Sequence, residues 1–291
     1  MAGRKSLNKM LNLNKLKNIE LVLFDVDGTL VNDYGELGER TKKIIMNLKK
    51  FGVNFSFASG RLHSALIPLA EELKLYSPLI SLDGTVIKSI SEKDFVYRSY
   101  LKENHVKKAI ELSERYMVNI ALCHNDVIYY TEQNSVIPKL MDKFGAPYQE
   151  VESYDNLTDK TLELVFASDN RLAVSYIRDK FIFPFSLGIS ISFFRSQTHD
   201  NIYYLEIRRS GSSKGKAMKR LLKHLKIQEE KTAVLGDWYN DISMFESKAL
   251  KIAPANAISE LKRKADIVLK KSNNEEAAAV FLEKLLKAKM S

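Results

Sequence analysis

Cysteine is almost absent from this sequence: Cys123 is the single one among 291 residues. An internal disulfide is therefore excluded, and we expect a protein of a reducing compartment in which Cys123 is a buried, inert thiol. No uninterrupted apolar run approaches the ~20 residues that a membrane-spanning helix needs. A secretory signal pattern, in which an apolar segment precedes small residues, is also missing. These absences predict a cytoplasmic protein that does not insert into a membrane.

Acidic residues are missing from the first 18 positions. That stretch carries basic side chains at Arg4, Lys5, Lys9, Lys15 and Lys17. Because apolar residues lie between them, an amphipathic targeting leader is an alternative, but we interpret the stretch as a solvated basic tail. The whole chain has 45 Lys and Arg against 36 Asp and Glu, a formal net charge of +9. Such a charge favours anionic partners, which could be phosphorylated metabolites, nucleic acid or lipid surfaces.

Short apolar segments alternate with helix-like segments at both ends of the sequence, and hydrophobic residues make up 45% of it. This alternation predicts an α/β fold whose core is a Rossmann-like, doubly wound parallel sheet. Between these two ends, strand-like runs alternate as in a sheet with one wet face, which predicts an inserted α+β domain. The predicted parts are a tail at 1–18, a core of 19–85 and 205–291, and an insert at 86–204.

The apolar run 21–24 predicts a short buried strand, and two carboxylates one residue apart, Asp25 and Asp27, follow it. Side chains alternate along an extended chain, so both acids could flank a small site beyond the strand end. Gly28 then permits a sharp turn and a close approach of the backbone to a bound group, and Thr29 follows it. Taken alone, the same residues could form an Asp-Gly turn that closes a hairpin.

Three further predicted strand ends carry polar residues, and Lys214 opens a predicted helix between the last two. The strand-end groups are Ser59 with Gly60 and Arg61, Asp83 with Gly84, and Asp237 with Asn240 and Asp241. The carboxyl ends of parallel strands meet at one edge of a sheet, so we expect these residues to converge on one pocket. Acids from two strands can supply the hard oxygen ligands of Mg²⁺. One acid would then be left for covalent or proton-transfer chemistry.

Each group also has a simpler interpretation. Ser59 and Arg61 could be a loop N-cap and a surface cation, and Lys214 could be a solvated helix residue. Asp237 and Asp241 could cap the helix that follows them. The five histidines show no metal-ligand spacing, which argues against a zinc site.

In combination, the strand-end residues resemble the haloacid dehalogenase-like phosphatase superfamily, and specifically its Cof-type branch. The matching motifs occur in the family's order at 25–30, 59–61, 213–215 and 236–241. The resemblance covers about residues 19 to 285 and includes the place of the insert, which in the family is an α/β cap over the active site. It implies a Mg²⁺-dependent phosphatase that acts on small phosphorylated metabolites such as sugar phosphates, nucleotides or phosphorylated cofactors.

The resemblance also implies roles for the acids. Asp25 would be the nucleophile that becomes an aspartyl phosphate, and Asp27 would protonate the leaving oxygen and later deprotonate the attacking water. Mg²⁺ would be held by Asp25, the main-chain carbonyl of Asp27 and Asp237, with Asp241 in support.

The remaining motif residues would act on the phosphoryl group. By the same resemblance, Ser59 and Lys214 would donate hydrogen bonds to the phosphoryl oxygens, and Asn240 would orient the site. Cap residues would select the leaving group; His124, Tyr130 and Arg195 are our candidates. We assign substrate contacts to Gly28, Thr29, Gly60, Arg61, Asp83 and Gly84.

The sequence departs from the Cof-type pattern at three places, none of which removes a catalytic group. Asp83-Gly84-Thr85 stands where the family usually has Asn-Gly-Ala, and Ala255-Asn256-Ala257 where it has Gly-Asn-Ala. Trp238-Tyr239 replaces smaller or more polar residues, and we interpret the pair as packing against a neighbouring loop. An added carboxylate at Asp83 could alter substrate preference or metal binding.

Two rival functions remain open at this point. The first is a phosphomutase-type phosphotransferase, which would keep the phosphoenzyme but pass the phosphoryl group to a sugar. The second is a nucleic-acid-binding protein that uses the basic tail and surface lysines, although the sequence has no aromatic and basic recognition motif. We therefore expect a small phosphorylated metabolite as partner, no nucleic acid and no membrane, and a monomer or a homodimer.

Overall fold

The computed structural model describes residues 14–91, 94–131, 146–183, 188–196 and 201–291. The chain separates into two compact units. The core unit contains the residues up to Gly60, Ile67–Val96 and Ser213–Ser291, and the insert unit contains Arg61–Leu66 and Tyr97–Ser212. In the described part of the chain, no helix has both the length and the apolar character needed to cross a membrane.

The described strands and helices alternate along both ends of the chain. The strands are β1 (Leu21–Phe24), β2 (Asn54–Phe57), β3 (Leu79–Ser81), β4 (Val86–Lys88), β5 (Phe95–Arg98), β6 (Asn119–Cys123), β7 (Ile128–Tyr130), β8 (Tyr148–Glu150), β9 (Glu163–Ser168), β10 (Ile189–Arg195), β11 (Tyr203–Arg209), β12 (Thr232–Leu235), β13 (Leu250–Ala253) and β14 (Ile267–Val268). The helices are α1 (Glu39–Lys50), α2 (His63–Glu72), α3 (Glu103–Tyr116), α4 (Arg171–Ile182), α5 (Lys214–Leu225), α6 (Ile242–Phe245), α7 (Ser259–Lys264) and α8 (Ala277–Met290).

The core unit is built on a five-stranded parallel sheet in the order β14-β13-β12-β1-β2. All four residues of β1 are completely buried, which explains why this strand reads as an unbroken apolar run. An isolated parallel bridge between Ala58 and Ile80 connects β2 to a second sheet in the order β3-β4-β5. The predicted α/β class with a parallel sheet core is confirmed.

The parallel pairing brings the predicted strand ends to one edge of the core sheet. Leu21 is paired with both Thr232 and Asn54, so β1, β2 and β12 run side by side in the same direction. Asp25 follows β1 and Asp237 follows β12 closely, and the Asp25 N–H donates to the Leu235 carbonyl at 2.9 Å. Residues about 210 positions apart in the sequence are thereby neighbours at this edge.

The insert unit contains a six-stranded sheet in the order β10-β11-β9-β6-β7-β8, mostly antiparallel. One face of this sheet packs on α3 and α4 through a hydrophobic cluster that includes Leu122, Phe166 and Ile207. Cys123 is 2% exposed, and burial raises the pKa of its thiol well above the usual value. This environment is that of an inert thiol, as the sequence predicts.

The division between the units differs from the predicted boundaries at 86 and 204. Val86 pairs with Ser81 in the β3–β4 hairpin, so β4 belongs to the core unit. Leu205 pairs with Phe166 of β9 and with Phe193 of β10, so β11 is an inner strand of the insert sheet. The assignment of 205–212 to the core is therefore wrong. Alternation of apolar and polar residues does not reveal which sheet a strand joins, and that ambiguity caused the error.

The last residues of the predicted tail of 1–18 pack on the core unit. Residues 1–13 lie outside the described part of the structure. Leu16 is only 8% exposed and Ile19 is completely buried. Lys289 of α8 donates to the carbonyl of Lys17 at 2.6 Å. Residues 14–18 are therefore part of the folded core unit, because Leu16 packs while Lys15 and Lys17 stay at the surface.

Candidate active site

Three carboxylates converge at the edge of the core sheet. Asp25, Asp237 and Asp241 each offer an oxygen atom, and these oxygens lie within 4.8 Å of one another. The three side chains belong to residues that are only 5%, 7% and 0% exposed. Carboxylates this close and this buried repel one another unless cations or protons compensate their charge.

Lys214 is the cation that the structure places among these acids. Its ammonium Nζ donates to Asp25 Oδ1 at 2.6 Å and to Asp241 Oδ1 at 2.7 Å. Nζ also lies 4.0 Å from Asp83 Oδ1. Lys214 is the first residue of α5 and is 1% exposed, so the alternative of a solvated helix lysine is wrong. A lysine is buried to this extent only when its charge is paired.

Burial and the neighbouring charges shift the pKa values of the residues in the cluster. Burial raises the pKa of Asp25 well above its usual range, and the negative charges of Asp241 and Asp237 add to this effect against Lys214. Burial and the charge of Asp241 raise the pKa of Asp237 to about 6. Burial alone would lower the pKa of Lys214, but its carboxylate neighbours outweigh that effect and raise it. One ammonium thus leaves excess negative charge, and this set of hard oxygen donors fits a divalent cation such as Mg²⁺.

The turn after β1 is held tightly against Asp237. Gly28 has a φ of +75°, and a Cβ at this position would lie 2.5 Å from Asp237 Oδ2. Only glycine meets both conditions without strain. The Thr29 hydroxyl, from a residue 2% exposed, donates to Asp237 Oδ1 at 2.7 Å. Thr29 therefore orients an acid of the cluster, and the substrate contact that we assigned to Gly28 and Thr29 stays a prediction.

The Asp241 carboxylate serves the site and the local turn at once. Its Oδ1 accepts from Lys214, and its Oδ2 accepts from the main-chain N–H groups of Asp237 at 2.9 Å and Trp238 at 3.1 Å. Asp241 makes no side-chain cap on α6, the helix that follows it; one of its oxygens closes the turn before that helix, and the other belongs to the charged cluster. Because these hydrogen bonds fix the Asp237–Asp241 turn, they fix the position of Asp237 as well.

Asp83 joins the cluster through a strained turn. Leu82 and Asp83 have φ values of 46° and 48°, an uncommon conformation for residues other than glycine that costs of order 1 kcal/mol each. Asn240 Nδ2 donates to Asp83 Oδ1 at 3.0 Å. Gly84 completes the turn with a φ of +97°, and a Cβ there would lie 2.5 Å from the Ser213 carbonyl. The turn thereby packs directly on the start of the helix that carries Lys214.

The strand end after β2 touches the same turn. Ser59 is 1% exposed, and its carbonyl accepts from the Asp83 N–H at 3.0 Å. A Cβ on Gly60 would lie 3.5 Å from Asp83 Oδ1, an ordinary contact. Arg61 is half-buried and belongs to the insert unit. The substrate contacts assigned to Gly60, Arg61, Asp83 and Gly84 stay predictions.

Asp27 differs from the three clustered acids. It is partly exposed, whereas they are buried, and the group of three close carboxylates found among the described residues does not include it. The sequence prediction gave only its main-chain carbonyl to the metal and reserved its side chain for proton transfer. Both roles stay predictions.

The candidates in the insert unit have structural contacts of their own. His124 Nε2 lies 2.8 Å from the Leu157 carbonyl, and burial lowers the pKa of His124. Arg195 donates to Asn201 Oδ1 at 3.0 Å, and Tyr130 is 7% exposed. Their proposed contacts with a leaving group stay predictions.

Sequence reasoning missed one feature near the carboxylates. Trp238 and Tyr239 are 40% and 61% exposed, with their rings edge to face at 5.2 Å, and their packing against a neighbouring loop stays a prediction. Asn256 was noted only as part of a variant motif, yet its Nδ2 donates to the Gly28 carbonyl at 2.7 Å. An asparagine in the turn after β13, at the same sheet edge, was the signal for a role at the site.

The fold and the site together define an α/β protein in which acids and a lysine gather where the strands of a parallel sheet end. A family model described as haloacid dehalogenase-like hydrolase matches residues 22–282, and the chain therefore belongs to this family. The resemblance inferred from the motifs is confirmed.

Individual relatives agree with this assignment. The chain is 25% identical to the phosphatase YwpJ of Bacillus subtilis, over 92% of this chain and 100% of YwpJ. It is 24% identical to 5-amino-6-(5-phospho-D-ribitylamino)uracil phosphatase YcsE of the same organism, over 86% of this chain and 90% of YcsE. A crystal structure of a haloacid dehalogenase-like hydrolase from Bacteroides thetaiotaomicron has the same fold, with a TM-score of 0.82, 24% identity, and coverage of 92% of this chain and 99% of that one. The chain is thus an enzyme of a hydrolase family, and its relatives include phosphatases.

Proposed function

We propose that the protein is a Mg²⁺-dependent phosphatase that hydrolyses small phosphorylated metabolites through an aspartyl phosphate on Asp25. One observation carries the proposal. The Asp25 carboxylate is held by the Lys214 ammonium at 2.6 Å within a buried group of three acids. A carboxylate fixed next to a buried cation can attack an anionic phosphate, because the cation reduces the repulsion between the two anions.

The reaction divides into two displacements. In the first, an oxygen of Asp25 attacks phosphorus, the bond to the leaving oxygen breaks, and Asp27 gives its proton to that oxygen. In the second, Asp27 takes a proton from water, and the water oxygen attacks phosphorus and releases inorganic phosphate and the Asp25 carboxylate. Asp27 is more exposed than Asp25, which suits a group that exchanges protons with incoming water and the departing alcohol.

Mg²⁺ fits the donor set, and Asp25, Asp237 and the Asp27 carbonyl would hold it with support from Asp241. Bound Mg²⁺ supplies positive charge that offsets the negative charge of the phosphate and of the acids. Thr29 keeps one Asp237 oxygen in place, and the main-chain donors of the Asp237–Asp241 turn keep Asp241 in place.

Lys214 and Ser59 would donate to the phosphoryl oxygens as charge moves onto them. Lys214 already contacts the attacking carboxylate, so it can bridge nucleophile and phosphoryl group without moving far. Asn240 contributes through Asp83, which it holds beside Lys214. The relative YcsE, a 5-amino-6-(5-phospho-D-ribitylamino)uracil phosphatase, supports small phosphorylated metabolites as the substrate class.

The test is release of inorganic phosphate from a panel of small phosphate monoesters with Mg²⁺ and without an added acceptor. We expect steady release by the wild type and none by Asp25→Asn, which keeps the shape of the side chain but removes the nucleophile. Asp169→Asn, an exposed position before α4, is the matched control and should behave as wild type. Release that occurs only when a sugar acceptor is added would favour a phosphotransferase. Full activity of Asp25→Asn would contradict the proposal.

A further inference from the structure

The turn of residues 254–258, which follows β13, contacts both loops that carry the clustered acids. On one side, Asn256 Nδ2 donates to the Gly28 carbonyl at 2.7 Å. On the other side, the Ile258 N–H donates to the Asp237 carbonyl at 2.9 Å. A single short turn therefore connects the loop after β1 with the loop after β12.

The orientation of the Asn256 side-chain amide is fixed by a second hydrogen bond. Its Oδ1 accepts from the Asn273 N–H at 3.1 Å. The Asn273 side chain then donates to the Val31 carbonyl at 3.2 Å and to Asp33 Oδ1 at 2.9 Å. Because both ends of the Asn256 amide are engaged, the side chain has one orientation, and its donor must point at Gly28.

The position of the Gly28 peptide affects the geometry of the acid cluster. Gly28 approaches Asp237 so closely that a Cβ would lie 2.5 Å from its Oδ2, and the next residue, Thr29, donates to Asp237 Oδ1. Asp27 precedes Gly28 directly in the chain, and Asp25 lies two residues before Asp27. A shift of the Gly28 peptide would therefore change the separation between Asp237 and the acids that follow β1.

We propose that Asn256 is a positioning residue that sets the loop after β1 against Asp237 and thereby the spacing of the oxygen atoms that would bind Mg²⁺. The hydrogen bonds of its amide go to Gly28 and Asn273, so it acts through the Gly28 carbonyl and the turn it belongs to. This inference rests on the proposed function, because it assumes that the cluster of Asp25, Asp237 and Asp241 binds a divalent cation. Residues one step from a metal ligand commonly change metal affinity 10- to 100-fold when they are replaced.

Calorimetric titration of the full chain with Mg²⁺ alone tests the inference without any catalytic turnover. We expect Asn256→Ala to weaken Mg²⁺ binding about 10-fold, the lower end of that range, since the hydrogen bond to Gly28 is accessible to solvent. Asn256→Ser keeps a polar side chain that is too short to reach both partners, and it should weaken binding similarly.

Asn274→Ala is the matched control, because Asn274 also makes two hydrogen bonds in this network, but both go to Asp33. We expect its Mg²⁺ affinity to stay within about 2-fold of wild type, as for substitutions away from a site. Urea unfolding in chelator should show similar stability losses for Asn256→Ala and Asn274→Ala, which separates positioning from general destabilisation. Equal Mg²⁺ affinities of these two variants would overturn the inference alone. A wild type that does not bind Mg²⁺ would overturn both the inference and the metal dependence of the proposed function.

Discussion

Replacing Lys214 with methionine removes the positive charge from the acid cluster while nearly keeping the side-chain volume. The Lys214 side chain is completely buried, and its ammonium has carboxylate partners at 2.6 and 2.7 Å. Removal of one member of a buried ion pair costs about 3–5 kcal/mol, because it leaves uncompensated buried charge. We therefore expect Lys214→Met to lower the free energy of unfolding by about that amount at neutral pH in the presence of a chelator.

The loss should depend on pH in a defined direction. The pKa of Asp25 is already raised in the folded protein, and Lys214 is a group that lowers it. A carboxyl whose pKa is higher in the folded state destabilises the fold as pH rises from its unfolded pKa through its folded pKa. Without Lys214 this penalty grows, so the difference from wild type should be small near pH 4 and largest above pH 7.

Urea unfolding curves in chelator, measured across this pH range, provide the assay. Lys216→Met changes an exposed lysine of the same helix and should stay within about 0.5 kcal/mol of wild type at every pH. Equal stabilities for the Lys214 and Lys216 variants above pH 7 would refute the reasoning. So would a loss for Lys214→Met that does not change with pH.

Three further predictions follow from contacts in the core unit. Gly84→Ala should lower the free energy of unfolding in urea more than Gly35→Ala does. Both glycines have positive φ, but a Cβ at position 84 would lie 2.5 Å from the Ser213 carbonyl, whereas a Cβ at position 35 would meet nothing within 4 Å. Equal losses of stability would contradict the close approach at Gly84. Thr29→Val should cost about 1–3 kcal/mol and weaken Mg²⁺ binding, because it removes the buried hydroxyl that donates to Asp237. Unchanged calorimetric titrations would contradict that role. In chelator, wild-type stability should fall by about 3 kcal/mol as the pH rises from roughly 4 to 6. The pKa of Asp237 rises to about 6 on folding, so over this range the unfolded state has lost a proton that the folded state still holds. If pH-dependent urea curves instead show stability rising over this window, Asp237 is ionised more easily in the folded than in the unfolded state.

The cluster of acids was predictable from sequence because its parts are local signals. The run Leu21–Phe24 is apolar throughout, as a strand buried on both faces must be, and the acids stand directly after it. Parallel pairing then follows from the helical crossovers, and it brings Asp25 and Asp237 together without any detailed knowledge of packing. The same reasoning placed Lys214 at the start of a helix near this edge.

Other features depend on contacts that no local pattern encodes. The bond between Asn240 and Asp83 spans 157 positions and requires a turn with positive φ at Leu82, which the residue type disfavours. The bond between Asn256 and Gly28 likewise depends on how two loops meet. The membership of β11 in the insert sheet follows from pairing with β9 and β10, and its sequence of alternating residues would suit either unit.

The most direct test of the central claim is to identify the phosphorylated residue during turnover. The protein would be mixed with a rapidly hydrolysed phosphate monoester and Mg²⁺ and quenched in acid, and its peptides would be analysed by mass spectrometry. We expect one added phosphoryl group on the peptide that contains Asp25, and none on the same peptide of Asp25→Asn. A phosphoryl group on another residue, or turnover with no phosphorylated peptide in the quenched wild type, would contradict the account.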